Sequence, residues 1–258
     1  MSDSTYHTYD EICVLSVVYE LETNSVESPK QKFCDTKSAT GATPERVISI
    51  SSYAFSWMSS LATFSAPKLS ELSAYAFAGA NKLSSLTIAF SSIVSIPGYA
   101  FSSCCSLPSM SLPVCSTIST SAFYNCSSLS TFYAGDFSIV GTNAFALCFS
   151  LNTVIFDGSN ATATKTIMPS AFRTCHLLLS LYLLTSTVVK LSNTNAFTTS
   201  PISTYTTSTG GVNGSVFVPA SLYSTYSTST NWTTYAARIV SLTDTEIQNV
   251  RTYGKHDP

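Results

Sequence analysis

The chain has 258 residues, which is enough for one large domain with a sizeable buried core. Apolar residues make up 45% and charged residues only 10%, whereas an ordinary soluble domain has about 25% charged residues. The formal net charge is −2 and no basic run occurs, so we expect no nucleic-acid partner held through phosphate contacts. No apolar stretch approaches the ~20 residues that span a bilayer, so we expect no membrane insertion.

Charge is distributed unevenly along the chain. Residues 1–45 hold eight of the 14 acidic residues, whereas the long stretch 46–240 holds only three. Serine and threonine, which number 81 in the whole chain, supply most of the polarity of this stretch. We therefore divide the chain into an acidic N-terminal segment, residues 1–45, a middle region, residues 46–210, and a C-terminal segment, residues 211–258.

The middle region is a sequence repeat. The dipeptide Ala-Phe occurs seven times, at spacings of 22, 24, 22, 22, 27 and 25 residues. In the first six units an apolar residue also stands four positions before the Ala, and six and nine positions after the Phe. The seventh unit departs from this register at Ser192, Ser203 and Thr206, as terminal repeats often do. The phenylalanines of the seven units are Phe55, Phe77, Phe101, Phe123, Phe145, Phe172 and Phe197.

Each unit contains a short predicted strand. Counted from the Phe, positions 8 to 11 alternate between polar and apolar residues, as in the run from Ser85 to Ile88, and this alternation is typical of a strand. A unit of 22–27 residues is too small to bury its own apolar side, so we expect the copies to stack into a solenoid with one continuous core. The pattern predicts about seven coils, one narrow parallel sheet, and an internal ladder formed by the phenylalanine rings.

Cysteine follows the same phase. Four of the eight cysteines, Cys104, Cys126, Cys148 and Cys175, stand three residues after a Phe, and Cys115 lies at another apolar position of the unit. The pattern favours buried thiols that pack as small apolar side chains, although the spacing of neighbouring coils also permits disulfides. This row runs along the solenoid axis, so its thiols do not converge as the four ligands of a zinc site must. We therefore expect no metal and no other cofactor.

These units resemble the BspA-like leucine-rich repeat family, whose units read roughly sIgxxAFxxCxsLxxvxlP. Two copies that match it closely run from Ile96 to Leu107 and from Ile118 to Leu129. The resemblance covers residues 46–206, although Met58 and Ala80 stand where the family prefers Cys. It implies a leucine-rich-repeat-like solenoid that is dominated by β-structure, with some helix in its terminal caps.

The same resemblance implies a function. BspA-like surface proteins are linked to adhesion to host proteins and other cells, which implies a binding protein whose ligand is a protein or glycan on a host or neighbouring cell. The segments Gly214–Leu222 and Asn231–Tyr235 are similar to the ending of many such proteins of gut Firmicutes and their phages. A phage structural or host-recognition protein is therefore the alternative. The implied location is the cell surface or the extracellular space, or a virion for a phage protein, although no signal-peptide pattern precedes the apolar run Ile12–Val18.

The repeat region offers few residues for catalysis. Its acidic residues are Glu71, Asp136 and Asp157, and its one histidine is His176. Only His176 and Asp157 are candidates to activate one of the many serines, and no hydrolase, metalloprotease or phosphate-binding motif occurs. We therefore expect no enzymatic activity.

We expect ligands to bind to the outward face of the predicted sheet, formed by positions 8 and 10 of each unit. The early units place small hydroxyl residues there, which alternatively serve only to keep the sheet soluble. The late units place larger residues there, and tyrosine offers a large contact area at a low cost in side-chain entropy. The candidate binding residues are Tyr133, Ile155, Tyr182, Thr131, Thr153 and Ser180.

Both ends of the stack are predicted to be capped, because an open end exposes core and strand edge. Residues Val216–Val218 resemble a last strand, and Pro219 opens a helical stretch. At the other end a strand is predicted within Val14–Leu21. Residues 1–45 are then either a second cap or an attachment module.

Overall fold

A computed structural model describes residues 47–158, 164–203 and 212–254, together with the backbone of residues 17–19 and 41–42. Short strands dominate these residues, and two α-helices and two 3₁₀ helices lie near the C-terminal end. The helices are α1 (Ala220–Thr228) and α2 (Asp244–Tyr253), and the 3₁₀ helices are Thr194–Phe197 and Trp232–Arg238. The strands are β1 (Val17–Tyr19), β2 (Gly41–Ala42), β3 (Val47–Ile50), β4 (Thr63–Ala66), β5 (Glu71–Leu72), β6 (Ser85–Ile88), β7 (Ser95–Ile96), β8 (Ser109–Leu112), β9 (Thr117–Ile118), β10 (Thr131–Gly135), β11 (Ile139–Val140), β12 (Thr153–Gly158), β13 (Thr166–Ile167), β14 (Ser180–Thr185), β15 (Lys190–Leu191), β16 (Ser215–Pro219) and β17 (Ile239–Leu242).

The strand that the alternating pattern predicts in each unit lies in a row that we call the outer sheet. Its parallel strands follow the order β2-β4-β6 and then β8-β10-β12-β14-β16-β17. The register places position 9 of successive units side by side, through Met110, Phe132, Val154, Leu181 and Val216. The predicted repeat solenoid is therefore confirmed, since the coils on either side of one interruption pair with their neighbours at the same position of the repeat.

The outer sheet is interrupted between β6 and β8, and a proline lies at this point. At this point of the coil Ser84 donates its backbone N–H to Ala62 O at 2.9 Å, and Ser130 donates to Pro108 O at 2.8 Å. Pro108 occupies the equivalent position in the coil between them and has no N–H to donate. The pairing is restored one coil later, because Pro108 still offers its carbonyl.

A second row of parallel strands runs along another side of the solenoid, and the sequence pattern did not predict it. This second sheet has the order β3-β5 and then β7-β9-β11-β13-β15, with β1 antiparallel to β3 at its N-terminal end. Most of its strands have only two residues, too few to display an alternation. Their buried residues are the apolar residues four positions before each Ala, such as Ile96, Ile118, Val140 and Ile167.

Each of the first six coils turns at its Ala-Phe dipeptide through two residues in the left-handed region. In the fourth coil these are Ser121 at φ 54° and Asn125 at φ 58°, and equivalent residues recur in the other coils. Residues other than glycine rarely adopt such angles, and here hydrogen bonds between coils fix them. Phe101 N–H donates to Ala122 O at 2.9 Å, and Ser103 N–H donates to Tyr124 O at 2.7 Å.

The phenylalanine ladder runs through the whole core. Successive rings of the seven Ala-Phe dipeptides stack with centroids 5.2 to 5.6 Å apart and planes within 11° of parallel. All seven side chains are buried, and the Ala beside each Phe is buried as well. At the C-terminal end Trp232 and Tyr235 pack against the last ring, Phe197.

The cysteine row does more than fill space. Each thiol donates a hydrogen bond to the carbonyl of the Phe in the preceding coil, with Sγ···O distances of 3.0 to 3.2 Å. The donors are Cys104, Cys126, Cys148 and Cys175, and burial raises the pKa of all four thiols. Cysteine therefore suits this position because it combines a small apolar volume with a weak donor.

The irregular seventh coil has one extra residue before Ala196 and a longer insertion between Phe197 and Val216, the residue that pairs with Leu181. Leu191, five positions before Ala196, pairs with Ile167, so Leu191 and not Ser192 fills the apolar position. The short 3₁₀ helix Thr194–Phe197 accommodates the extra residue, and the Asn193 side chain caps this helix by accepting from Asn195 N at 2.9 Å.

The residues after β16 cover the open C-terminal end of the second sheet. Trp232 Nε1 donates to Val189 O at 2.7 Å, and Tyr226 Oη accepts from Val189 N at 2.9 Å. Asn231 Nδ2 donates to Leu191 O at 2.7 Å. These side chains satisfy backbone groups that the next coil of a longer solenoid would otherwise bind.

At the N-terminal end two short strands lie within residues 1–45. β1 lies inside the predicted strand Val14–Leu21 and pairs with β3, whereas β2 pairs in parallel with β4. The outer sheet thus begins before residue 46, where the sequence pattern placed the first repeat.

Candidate functional site

The outward face of the outer sheet has the alternation that the sequence predicts. Residues at positions 9 and 11 point into the core, as in β8, where Met110 and Leu112 are buried while Ser109 and Ser111 are exposed. Position 8 remains open to solvent through the early coils. Its exposed residues are Thr63, Ser85, Ser109 and Thr131, and the candidates Thr153 and Ser180 are half-buried.

The late half of this face is not open, which corrects the sequence-based prediction of an exposed stripe at Tyr133, Ile155 and Tyr182. Ile155 is only 7% exposed and Tyr182 only 3%. Both belong to a second apolar cluster that also contains Leu184, Leu242, Ile247 and Val250, and Tyr133 and Phe217 pack against it. Helix α2 therefore covers the predicted stripe, and the large apolar side chains there hold the C-terminal segment in place.

The sequence of the C-terminal segment explains why α2 forms and how it docks. Thr243 and Glu246 form a capping box at its start, and Gly254 ends the helix at φ 71°. Ile247 and Val250, three residues apart, face the sheet. The sequence contains a signal for this helix, namely its capping box. It contains no signal that shows which strands the helix packs against.

A different exposed surface lies on the Ala-Phe turns of the first three coils. The residue before each Ala is a tyrosine there, and Tyr53, Tyr75 and Tyr99 stack with ring centroids 4.7 Å apart at both steps. The ring planes lie within 10° of parallel. Desolvation by the neighbouring groups, together with the phenols of Tyr53 and Tyr99, raises the pKa of Tyr75.

An exposed tryptophan stands at the other end of the first of these turns. Trp57 is 69% exposed and Tyr53 is 58% exposed. A Cβ atom at Gly79 would lie 2.5 Å from Trp57 Cε3 and 2.9 Å from Cδ2, so the indole lies directly on the bare backbone of the second coil. We call Tyr53, Trp57, Tyr75 and Tyr99 the aromatic edge.

The sequence-based prediction does not include the aromatic edge, because all its candidate binding residues lie on the outward face of the sheet. A signal was present, since three consecutive units carry Tyr before Ala while the next units carry Ser121, Asn143 and Ser170. What the sequence did not reveal is that this position takes a left-handed conformation at the surface of the turn. The φ angles of Tyr53, Tyr75 and Tyr99 are 65°, 61° and 59°.

The two residues named as candidates for catalysis lie in separate surroundings. The His176 ring packs beside Phe149 with centroids 5.5 Å apart, whereas Asp157 accepts two hydrogen bonds from Arg251. Within residues 47–158, 164–203 and 212–254, no three His, Cys, Asp or Glu side chains gather as metal ligands would. Across the same residues, neither α-helix is long and apolar enough for a membrane crossing.

Comparison with known proteins agrees with this architecture. A crystal structure of a leucine rich cell surface protein from Faecalibacterium prausnitzii A2-165 superposes with a TM-score of 0.53 at 22% sequence identity. The match covers 67% of this chain and 43% of that one, so the chain spans less than half of its length. A likeness at this identity shows the fold alone. No curated protein matches the chain significantly.

The family is shown by the sequence profile of the BspA type leucine rich repeat region. It matches in six copies over residues 27–152, 105–218 and 138–248. These matches begin before and end after the residues 46–206 on which the resemblance was noted. The paired coils, the Phe ladder and the Cys row give each position of that profile a structural role, and the chain belongs to the BspA-type leucine-rich repeat family.

Proposed function

We propose that the protein is a non-catalytic binding protein that acts in adhesion, on the cell surface or outside the cell. Its ligand would be a protein or glycan of a host or neighbouring cell. Family membership supports a binding role, and the similar Faecalibacterium prausnitzii structure, which is that of a cell surface protein, supports a surface location. No observation on the described residues favours the alternative of a phage structural or host-recognition protein.

The observation that carries this proposal is the aromatic edge. Large aromatic side chains at the surface usually mark a contact with another molecule. Here Tyr53 and Trp57 are more than half exposed, whereas the seven rings of the Phe ladder are buried. The late half of the outer sheet is occupied by α2, so we place the contact on the turns of the first coils.

The test is adhesion by the purified chain on beads. Coated beads are expected to capture epithelial or bacterial cells, and a variant with Tyr53→Ser and Trp57→Ser is expected to lose most of that capture. A control variant with Thr131→Ala and Thr153→Ala should retain it. Loss in the control alone would move the contact to the outer sheet, and capture no better than bare beads by every form would refute the proposal.

A further inference from the structure

We propose that the aromatic edge is a binding site for a neutral polysaccharide, with a sugar ring stacked on the indole of Trp57. This inference rests on the proposed binding function and names the class of ligand. A pyranose ring has an apolar face of C–H groups and a rim of hydroxyls. The site must therefore offer a flat apolar platform beside neutral donors and acceptors.

Trp57 supplies the platform. One side of its indole lies on Gly79, and with 69% of the residue exposed the opposite side faces solvent. The backbone beneath is fixed, because Trp57 N–H donates to Ala78 O at 2.6 Å and Phe55 N–H donates to Ala76 O at 2.8 Å. A ring held in this way loses little freedom when a ligand stacks on it.

Gly79 is the residue that makes room for the indole. The equivalent position is a residue with a side chain in each later coil, where Ser103, Asn125 and Leu147 follow in order. Gly79 has φ +78°, the same left-handed conformation that Ser103 and Asn125 adopt. The fold therefore tolerates a side chain at this position, and the glycine is required by Trp57 and not by the turn.

The tyrosine stack supplies the polar groups. Its rings face one another at 4.7 Å, so the faces between neighbouring rings are occupied and a ligand would meet the hydroxyls. Each phenol donates one hydrogen bond and also accepts, as a row of sugar hydroxyls requires. The stack ends at Tyr99, since the next residue in the row is Ser121, which limits the site to the first three coils.

Charge favours a neutral ligand. The turn segments 51–60, 73–82 and 97–106 contain a single charged residue, Lys82. Acidic polysaccharides are recognised chiefly by arginine and lysine clusters, which these turns lack. These turns carry serines instead, among them Ser52, Ser56 and Ser102.

The experiment is affinity gel electrophoresis of the whole chain in gels that contain barley β-glucan, xylan or galactomannan, with polygalacturonate as the acidic comparison. We expect retardation by at least one neutral polymer and none by polygalacturonate. Intrinsic fluorescence gives a second readout, because Trp57 is exposed whereas Trp232, the other tryptophan, is fully buried. Bound polymer should protect Trp57 from quenching by acrylamide.

Two pairs of variants test the geometry. Gly79→Asn keeps Trp57 but places a side chain where the indole lies, and we expect affinity to fall about tenfold or more, as at a binding hot spot. Ser103→Asn puts the same residue one coil further along and should bind like the parent. Tyr75→Phe should weaken binding severalfold, whereas Tyr124→Phe, outside the row, should not. Circular dichroism and thermal melting verify that each variant is folded.

The outcomes separate this inference from the proposed function. Retardation by no neutral polymer, or retardation that survives Gly79→Asn and Trp57→Ala, would overturn the glycan site. If beads still captured cells in a Trp57-dependent manner, the binding function would stand and its ligand would be a protein. If capture failed as well, both proposals would fail.

Discussion

Arg251 donates two hydrogen bonds to Asp157, from Nε to Oδ2 and from Nη2 to Oδ1, both 2.8 Å long. The two residues are 94 positions apart, and the pair links the last turn of α2 to the C-terminal end of β12. By accepting these hydrogen bonds, the Asp157 carboxylate raises the pKa of Arg251. The side chains remain 35% and 17% exposed, so the pair orients the helix while the apolar cluster beneath it supplies most of the binding energy.

The docking of α2 is tested by Ile247→Asp. A carboxylate on the buried side of the helix cannot be solvated there, so α2 should leave the sheet and uncover Ile155 and Tyr182. We expect several-fold more binding of an apolar fluorescent dye and faster amide exchange over residues 244–253, with the Phe ladder unaffected. Gln248→Asp, on the exposed side, is the control. Equal dye binding by the two variants would show that α2 does not cover this face.

A milder change separates the ion pair from the cluster. Arg251→Ala removes both hydrogen bonds but leaves Ile247 and Val250 in place. Because the pair is partly exposed, we expect a loss of no more than about 1 kcal/mol in the free energy of unfolding. High salt should shrink this difference, since screening weakens the pair in the parent only. A loss as large as that of Ile247→Asp would mean that the ion pair, and not the apolar cluster, holds the helix.

The Phe ladder is tested at its middle rung. Phe123 is fully buried, stacks on Phe101 and Phe145, and also meets the edge of Phe132. Phe123→Ala should cost about 3–5 kcal/mol in the free energy of unfolding, the usual cost of deleting a buried ring. Amide exchange should accelerate in the adjoining coils as well, because each coil of a solenoid is supported by its neighbours.

The matched control for this rung is the next residue. Tyr124 is only half-buried and lies outside the ladder, so Tyr124→Ala should change stability far less. Chemical denaturation of both variants gives the comparison. Similar losses in the free energy of unfolding for the two variants would contradict the prediction. They would show that surface contacts of this turn stabilise the protein as much as the Phe ladder does.

The parts of the fold that could be predicted are those with a sequence signal that recurs in every coil. The phase of Phe, Cys and the apolar positions repeats every coil, and stacking identical units is the one arrangement that buries them all. The second sheet escaped because two residues such as Ile139–Val140 carry no readable period. The coil that begins at Leu191 departs from the repeat register in the sequence. Only the structure shows that the 3₁₀ helix accommodates the extra residue, so that Leu191 still pairs with Ile167.

The site was harder to predict, because exposure depends on what packs on a surface. Tyr133, Ile155 and Tyr182 do lie at one position of successive strands. The pattern has no means of showing that Ile247, between 65 and 114 residues later in the chain, comes to lie on them. An outward apolar residue in a sheet is equally consistent with a ligand and with a segment of the same chain.

The buried thiols should be inert in the folded protein. The thiolate is the reactive form, and burial raises the pKa of Cys104, Cys126, Cys148 and Cys175. Cys115 has its pKa raised to about 11 by burial. In a variant with Cys13→Ser and Cys34→Ser, a thiol reagent at neutral pH should label the half-buried Cys105 first and all six described cysteines only after unfolding.

Mass spectrometry of the labelled peptides checks this order. Rapid labelling of any cysteine in the Phe-phased row, with the protein still folded, would contradict the buried position of that row. Resistance of the row to labelling even in strong denaturant would instead reveal disulfides, the alternative that the coil spacing permits.

The C-terminal cap carries a titratable group in its core. Tyr226 is fully buried, and its hydroxyl oxygen accepts a hydrogen bond from Val189 N–H at 2.9 Å. Its ring meets Trp232 edge to face at 5.3 Å. Tyr226→Phe leaves the buried Val189 N–H without this acceptor, which should cost about 1–3 kcal/mol near neutral pH.

The same residue makes stability depend on alkaline pH. Burial raises the pKa of Tyr226 from 10.0 to about 12 in the folded protein, so above pH 10 the unfolded chain loses this proton first. The stabilisation is complete below pH 10 and declines as the pH rises towards 12. Tyr226→Phe lacks this term, so the difference in unfolding free energy between parent and variant should shrink over that interval, by up to about 3 kcal/mol. Tyr235 and the buried thiols titrate alike in both proteins and cancel in the difference. Denaturation curves at several pH values between 9 and 12 measure it, and a constant difference would show that Tyr226 is open to water.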